Sequence, residues 1–117
     1  MRKLLIGIGV GAMLLASPVS AMITAREMLA KADAGDKVVP LILVATGAGF
    51  LAANARLKYM GQPMLYCQPG KLTMTGEQSV QMLRSYLVAY PANGSFDGAA
   101  VLLAAYQYTF PCAKSPG

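Results

Sequence analysis

Apolar positions fall into blocks set apart by proline, glycine and charge. The first block, Leu4 to Leu15, is an unbroken apolar run behind Arg2 and Lys3. The others read as helices. Thr24-Ala-Arg-Glu27 has the form of a capping box, and Gly35 is the matching stop. Pro40 opens a long apolar segment that runs to about Met60, where Gly61, Gln62 and Pro63 end it. Thr75-Gly-Glu-Gln78 is a second capping box. Behind it Val80, Leu83, Tyr86, Leu87 and Tyr90 share one stripe, with Glu77, Gln81, Arg84 and Ser85 opposite. Pro91 stops this helix, because the residue before a proline is pushed out of the helical region. Ser95 is placed to cap a last helix over about Phe96 to Thr109, with Ala99, Leu102, Leu103, Tyr106 and Phe110 as its main stripe. The stripe of the third helix is helical and not strand-like in spacing, and the four segments together predict an all-α fold, a small four-helix bundle.

The uncharged segment Val38 to Ala55 admits two readings. By length and apolarity it matches a marginal membrane span. Its second half is rich in glycine and alanine, and an all-round apolar helix equally suits the centre of a small bundle. The core reading is preferred.

The N-terminal block changes the picture of compartment. A basic start, an apolar run, a break at Pro18 and the small residues of Val19-Ser20-Ala21 form a secretory leader. An uncleaved anchor is the alternative, but the run is short for a span of about 20 residues. Residues 1–21 are read as signal peptide and residues 22–117 as one helical domain of 96 residues in the periplasm, with membrane contact not expected after cleavage. That domain carries eight Lys/Arg and five acids, a net charge of +3. The cations are scattered, which argues against nucleic acid as a partner.

The chain has two cysteines, Cys67 and Cys112, and no histidine. In an oxidising compartment two cysteines tend to pair. A zinc site needs about four ligands, more than two thiols supply. A redox pair would favour C-x-x-C proximity, which is absent. A Cys67–Cys112 disulfide is expected, worth roughly 4 kcal/mol by chain entropy. Cys67 precedes the third predicted helix and Cys112 follows the fourth, so the bond would clasp an antiparallel helical hairpin.

The C-terminal half then shows an ordered set of motifs: Cys67-Gln-Pro69, Thr75-x-x-Gln78, Tyr86-Leu87 followed by Pro91, Leu102-Leu103, and Phe110-Pro111-Cys112. In this order they resemble the Rap/Tai family of bacterial immunity proteins linked to type VI secretion. Tyr90 stands where that family often has histidine, and the loop PANGSFDG is richer in glycine. The resemblance implies a small helical, disulfide-linked periplasmic protein, often dimeric, whose relatives bind and block a peptidoglycan amidase effector. It implies a protein partner and no cofactor, metal or small-molecule substrate.

Partner-binding candidates come from two places. The loop after Pro91 offers Asn93, Ser95, Phe96 and Asp97, with Phe96 as an apolar anchor. The competing structural reading packs Phe96 under the last helix and makes Asn93-Gly94 a plain turn. On the last helix Val101 and Tyr108 lie seven apart, opposite the main stripe. They mark either a second core face or a homodimer contact.

Enzymatic chemistry is not expected. There is no histidine base, the disulfide would consume both thiols, and the carboxylates are dispersed on helix ends and loops. Two other functions fit the same outline: a periplasmic HdeA-like stress chaperone, for which few titrating groups are present, and a membrane-associated envelope subunit resting on Val38 to Ala55.

Overall fold

The computed structural model describes residues 23–113. The leader read over residues 1–21 and the end of the tail lie outside them. Four α-helices and one 3-10 turn follow in order: α1 (Ala25–Asp33), α2 (Val38–Tyr59), α3 (Gly76–Ala89), the 3-10 turn (Pro91–Ser95) and α4 (Gly98–Thr109). The small all-α bundle with one disulfide, Cys67–Cys112, is therefore present.

Both capping boxes form. Thr24 Oγ1 accepts from the Glu27 amide at 3.1 Å, and the Glu27 carboxylate accepts from the Thr24 amide at 3.0 Å. Thr75 and Gln78 repeat the exchange at 3.1 and 2.9 Å. Each box satisfies amides that a helix start leaves unpaired. Gly35 and Gly61, both at positive φ, end α1 and α2. The α2 helix begins two residues ahead of Pro40. Asp36 accepts from the Val38 amide at 2.8 Å, and Pro40 sits in the first turn, where its missing N–H costs nothing.

The start of α4 differs from the sequence expectation. Asp97, not Ser95, is its cap, accepting from the Ala100 amide at 3.2 Å. Ser95 donates instead to the Ala92 carbonyl within the 3-10 turn. The reason is tertiary. Residues 23–25 pair with 96–98: the Ala25 amide donates to the Phe96 carbonyl at 3.0 Å, and the Gly98 amide to that of Ile23 at 2.8 Å. This holds Phe96 extended, so the helix can start only after it. Gly98 also lies against the Met28 sulfur, where a Cβ would not fit.

The core joins all four helices: Met28 from α1, Val39 and Leu43 from α2, Leu83 and Tyr86 from α3, Leu102 and Tyr106 from α4. Leu43, Leu83 and Leu102 are almost wholly enclosed, each contributing about 1.5–3 kcal/mol by burial. Gly47 meets the Tyr106 hydroxyl, and Gly76 meets Pro40, so α2 approaches both neighbours through positions without side chains. The buried stripe of α4 is Gly98, Val101, Leu102, Ala105 and Tyr106. It is rotated from the predicted one: Leu103 and Phe110 are half-buried and Ala99 is exposed. Small Gly98 and Ala105 permit the close approach that sets this rotation.

The expectation that α2 is a buried central helix is corrected. Only Val39, Leu43, Gly47 and Asn54 are buried, one side of the helix. Val38, Leu41, Ile42, Val44 and Leu51 face outward. The helix does pass the length and composition test for a membrane span.

The linker between α2 and α3 is fixed at several points. The buried Asn54 amide donates to the Tyr66 carbonyl, and its oxygen accepts from the Leu65 amide, both at 2.6 Å. Gln107 donates to the Leu65 carbonyl at 3.2 Å. The Cys67 amide donates to the Phe110 carbonyl at 2.8 Å beside the disulfide, whose Cα atoms are 4.8 Å apart. The clasp thus joins the linker to the exit of α4. Cys67 lies well ahead of the α3 cap, so the start of α3 is held through the linker rather than directly.

Candidate interaction site

An open groove of about 640 Å³ runs between the linker, α3 and the end of α4. Its floor and walls are largely apolar: Leu72 and Met74 from the linker, Met82 from α3, Tyr108 and Phe110 from the end of α4. Glu77, Gln78, Gln81 and Ser85 give it a polar side. The first turn of α3 and the last turn of α4 line the same groove, as antiparallel neighbours do.

Beside it lies an aromatic patch. Tyr86 on α3 and Tyr90 at its C-cap stand four apart and lie against each other. Their ring centroids are 5.0 Å apart, and each is 5.7 Å from Tyr108 of α4. Tyr86 is buried, and its hydroxyl accepts from the Asn93 side-chain amide at 2.8 Å. Tyr90 and Tyr108 remain 48% and 51% exposed. Tyr108 meets both other rings edge-on, and Tyr90 is tilted 36° against Tyr86, contacts that favour one arrangement of the three rings.

The residues singled out from the sequence divide among several roles. Val101 is core, on the second-face reading. Asn93 orients the Tyr86 hydroxyl, Ser95 closes the 3-10 turn and Asp97 caps α4. Phe96 does not pack under α4: it is 59% exposed, because its extended backbone is paired with α1. Tyr108 is exposed at the far end of α4, about 15 Å of helix rise from Gly98. Phe96 and Tyr108 thus mark opposite ends of α4, and only Tyr108 belongs to the groove. Leu72, Met74 and Met82 are further groove residues that the sequence reading passed over, and Tyr90, read there as part of the third helix's stripe, belongs to the patch. For Leu72 and Met74 the signal was two apolar residues between Pro69-Gly70 and the Thr75 cap.

Charge at the site is modest. Among the described residues no three His, Cys, Asp or Glu side chains converge as a metal site would require. The Glu27 carboxyl is held below its ordinary range, first by the Thr24 backbone amide and then by the Thr24 hydroxyl. Asp33 is lowered by its hydrogen bond to Arg84, whose guanidinium grips it at 2.7 and 3.3 Å. Burial pushes the Tyr66 and Tyr106 hydroxyls up. The nearby Tyr106 adds to the effect on Tyr66, while the Ser79 hydroxyl opposes it at Tyr106. Tyr66 is fully enclosed, its ring 4.8 Å from Tyr106. The groove is therefore equipped to receive apolar or aromatic side chains along a polar edge. Set against protein-family models, curated proteins and solved structures, the chain has no match.

Proposed function

We propose that this chain is an exported, disulfide-locked immunity-type protein of the Rap/Tai kind. It binds a toxic effector, such as a peptidoglycan amidase delivered by a neighbouring cell, and neutralises it without chemistry of its own. The observation that carries the reading is the groove with the half-exposed Tyr108 in its wall and the half-exposed Tyr90 packed against it. Tyrosines presented in this way are the residues on which protein interfaces concentrate their energy. The disulfide supports export, since such bonds persist in oxidising compartments. The ordered motifs from Cys67 to Cys112 supply the link to immunity.

The test is co-expression with the product of the adjacent gene. The expected outcome is a co-purifying complex and rescue from that product's toxicity. Tyr108→Ala and Tyr90→Ala should each weaken the complex by about 2 kcal/mol, a loss of some thirtyfold in affinity measured by calorimetry. A neighbouring product that is harmless and does not bind would remove the immunity reading. A complex indifferent to both tyrosines would move the contact elsewhere.

A further inference from the structure

We propose that the outer face of α2 docks on an anionic lipid surface, the helix lying flat in the headgroup region. From Val38 to Ala55 the helix carries no charge over 18 residues, about 27 Å. Its inner side is committed to the bundle through Val39, Leu43, Gly47 and Asn54. Its outer side presents Val38, Leu41, Ile42, Val44 and Leu51, with Leu41 68% exposed. Contiguous apolar faces of this kind mark contact surfaces.

The charge around this face identifies its occupant. Lys37 stands at one end, Arg56 and Lys58 at the other, and no acidic residue occurs between Asp36 and Glu77. Of the acids near the front end, Asp33 is paired with Arg84, while Asp36 accepts from the Val38 amide and keeps its charge beside Lys37, so the net positive charge of the strip lies at the Arg56–Lys58 end. Tyr59 lies at the far end, 81% exposed, with the Arg56 guanidinium 5.3 Å from its ring centroid. An apolar strip ended by cations and a tyrosine matches the bilayer interface, where headgroups are anionic and acyl chains begin just beneath.

A second copy of the chain fits less well. The strip offers roughly 270 Å² at a helix width of about 10 Å, against about 800 Å² per partner in a standard stable interface. Crossing the bilayer is opposed by the inner side, where Asn54 holds the Leu65 and Tyr66 backbone and the bundle covers the helix. A surface-lying helix satisfies both sides at once.

The test uses the protein as cells export it, its N-terminus defined by mass. It is floated with vesicles of phosphatidylglycerol and phosphatidylethanolamine in equal parts, and with pure phosphatidylcholine. The anionic vesicles should carry the protein, less so in high salt, and phosphatidylcholine should carry little. Leu41→Asp should lower partitioning at least about tenfold. Replacing Lys37, Arg56 and Lys58 together by Gln should bring binding to the anionic vesicles down to the phosphatidylcholine level. Thermal melts verify that each variant folds, and Tyr108→Ala should float like wild type, which keeps this result separate from effector binding. Absence of flotation overturns the proposal. So does flotation unchanged by Leu41→Asp, the outcome expected if a retained leader did the binding. A non-floating dimer that Leu41→Asp dissociates overturns it as well, and would assign the face to a second copy.

Discussion

Asn54 shows how one polar side chain can hold a loop. It sits buried on α2 and spends its oxygen on the Leu65 amide and its nitrogen on the Tyr66 carbonyl. The linker at that point has no secondary structure to satisfy its backbone, and a buried unpaired amide or carbonyl is costly. Asn54→Ala should therefore destabilise the fold by about 2–4 kcal/mol in denaturant unfolding. Asn54→Asp should recover only part of this, since it can accept from Leu65 but repels the Tyr66 carbonyl. Equal stability of Asn54→Ala and wild type would show that the linker finds other partners. Nothing in the sequence marks this asparagine, because its partners lie 11 and 12 positions away in a segment without periodicity.

At the scale of elements, what could be read from sequence tracked the range of the forces involved. Capping boxes are contacts over three residues, so both were visible in Thr24–Glu27 and Thr75–Gln78. The start of α4 is set by pairing with residues 23–25, so a local reading chose Ser95 over Asp97. The orientation of α2 was hidden for another reason. A helix apolar on every side carries no preferred face, and long-range contacts such as Gly47 against Tyr106, Pro40 against Gly76 and Asn54 against the linker decide which side turns in. The groove was missed because part of its apolar wall, Leu72 and Met74, comes from the linker. The anchoring of α1 yields a pH prediction. Glu27 and Asp33 both have carboxyls below their ordinary range, so the folded state favours their ionised forms. Their contribution is complete above the ordinary carboxylate range near pH 4 and is lost as pH falls through the lowered values. Amide exchange followed by NMR should show α1 losing protection on acidification before the α3–α4 pair does, with Arg84→Gln removing the Asp33 share. Simultaneous loss across all helices would contradict this.

For the whole molecule the disulfide is the largest single constraint. Closing 45 residues of separation should stabilise the fold by about 4 kcal/mol through the unfolded chain. A variant with both Cys67→Ser and Cys112→Ser should melt about 15–30 °C lower in circular dichroism. A fall of only a few degrees would mean that the hydrogen bonds from Cys67 and Gln107 already hold the linker to α4. The molecule has two outward features of different character: a groove with ordered tyrosines near the clasp, and a plain aliphatic strip along α2. A protein that uses both would meet its target while resting on a surface, which confines the search for that target to two dimensions.

Cys112 lies beyond the last helix, and its partner lies before the third. A growing chain that halts between residues 67 and 112 therefore carries Cys67 without its partner, as a thiol open to capping or to crosslinking with another molecule. That sulfur is protected only once residue 112 has been made and the two thiols are oxidised together, so copies cut short within this stretch bear a chemical mark that longer ones lack.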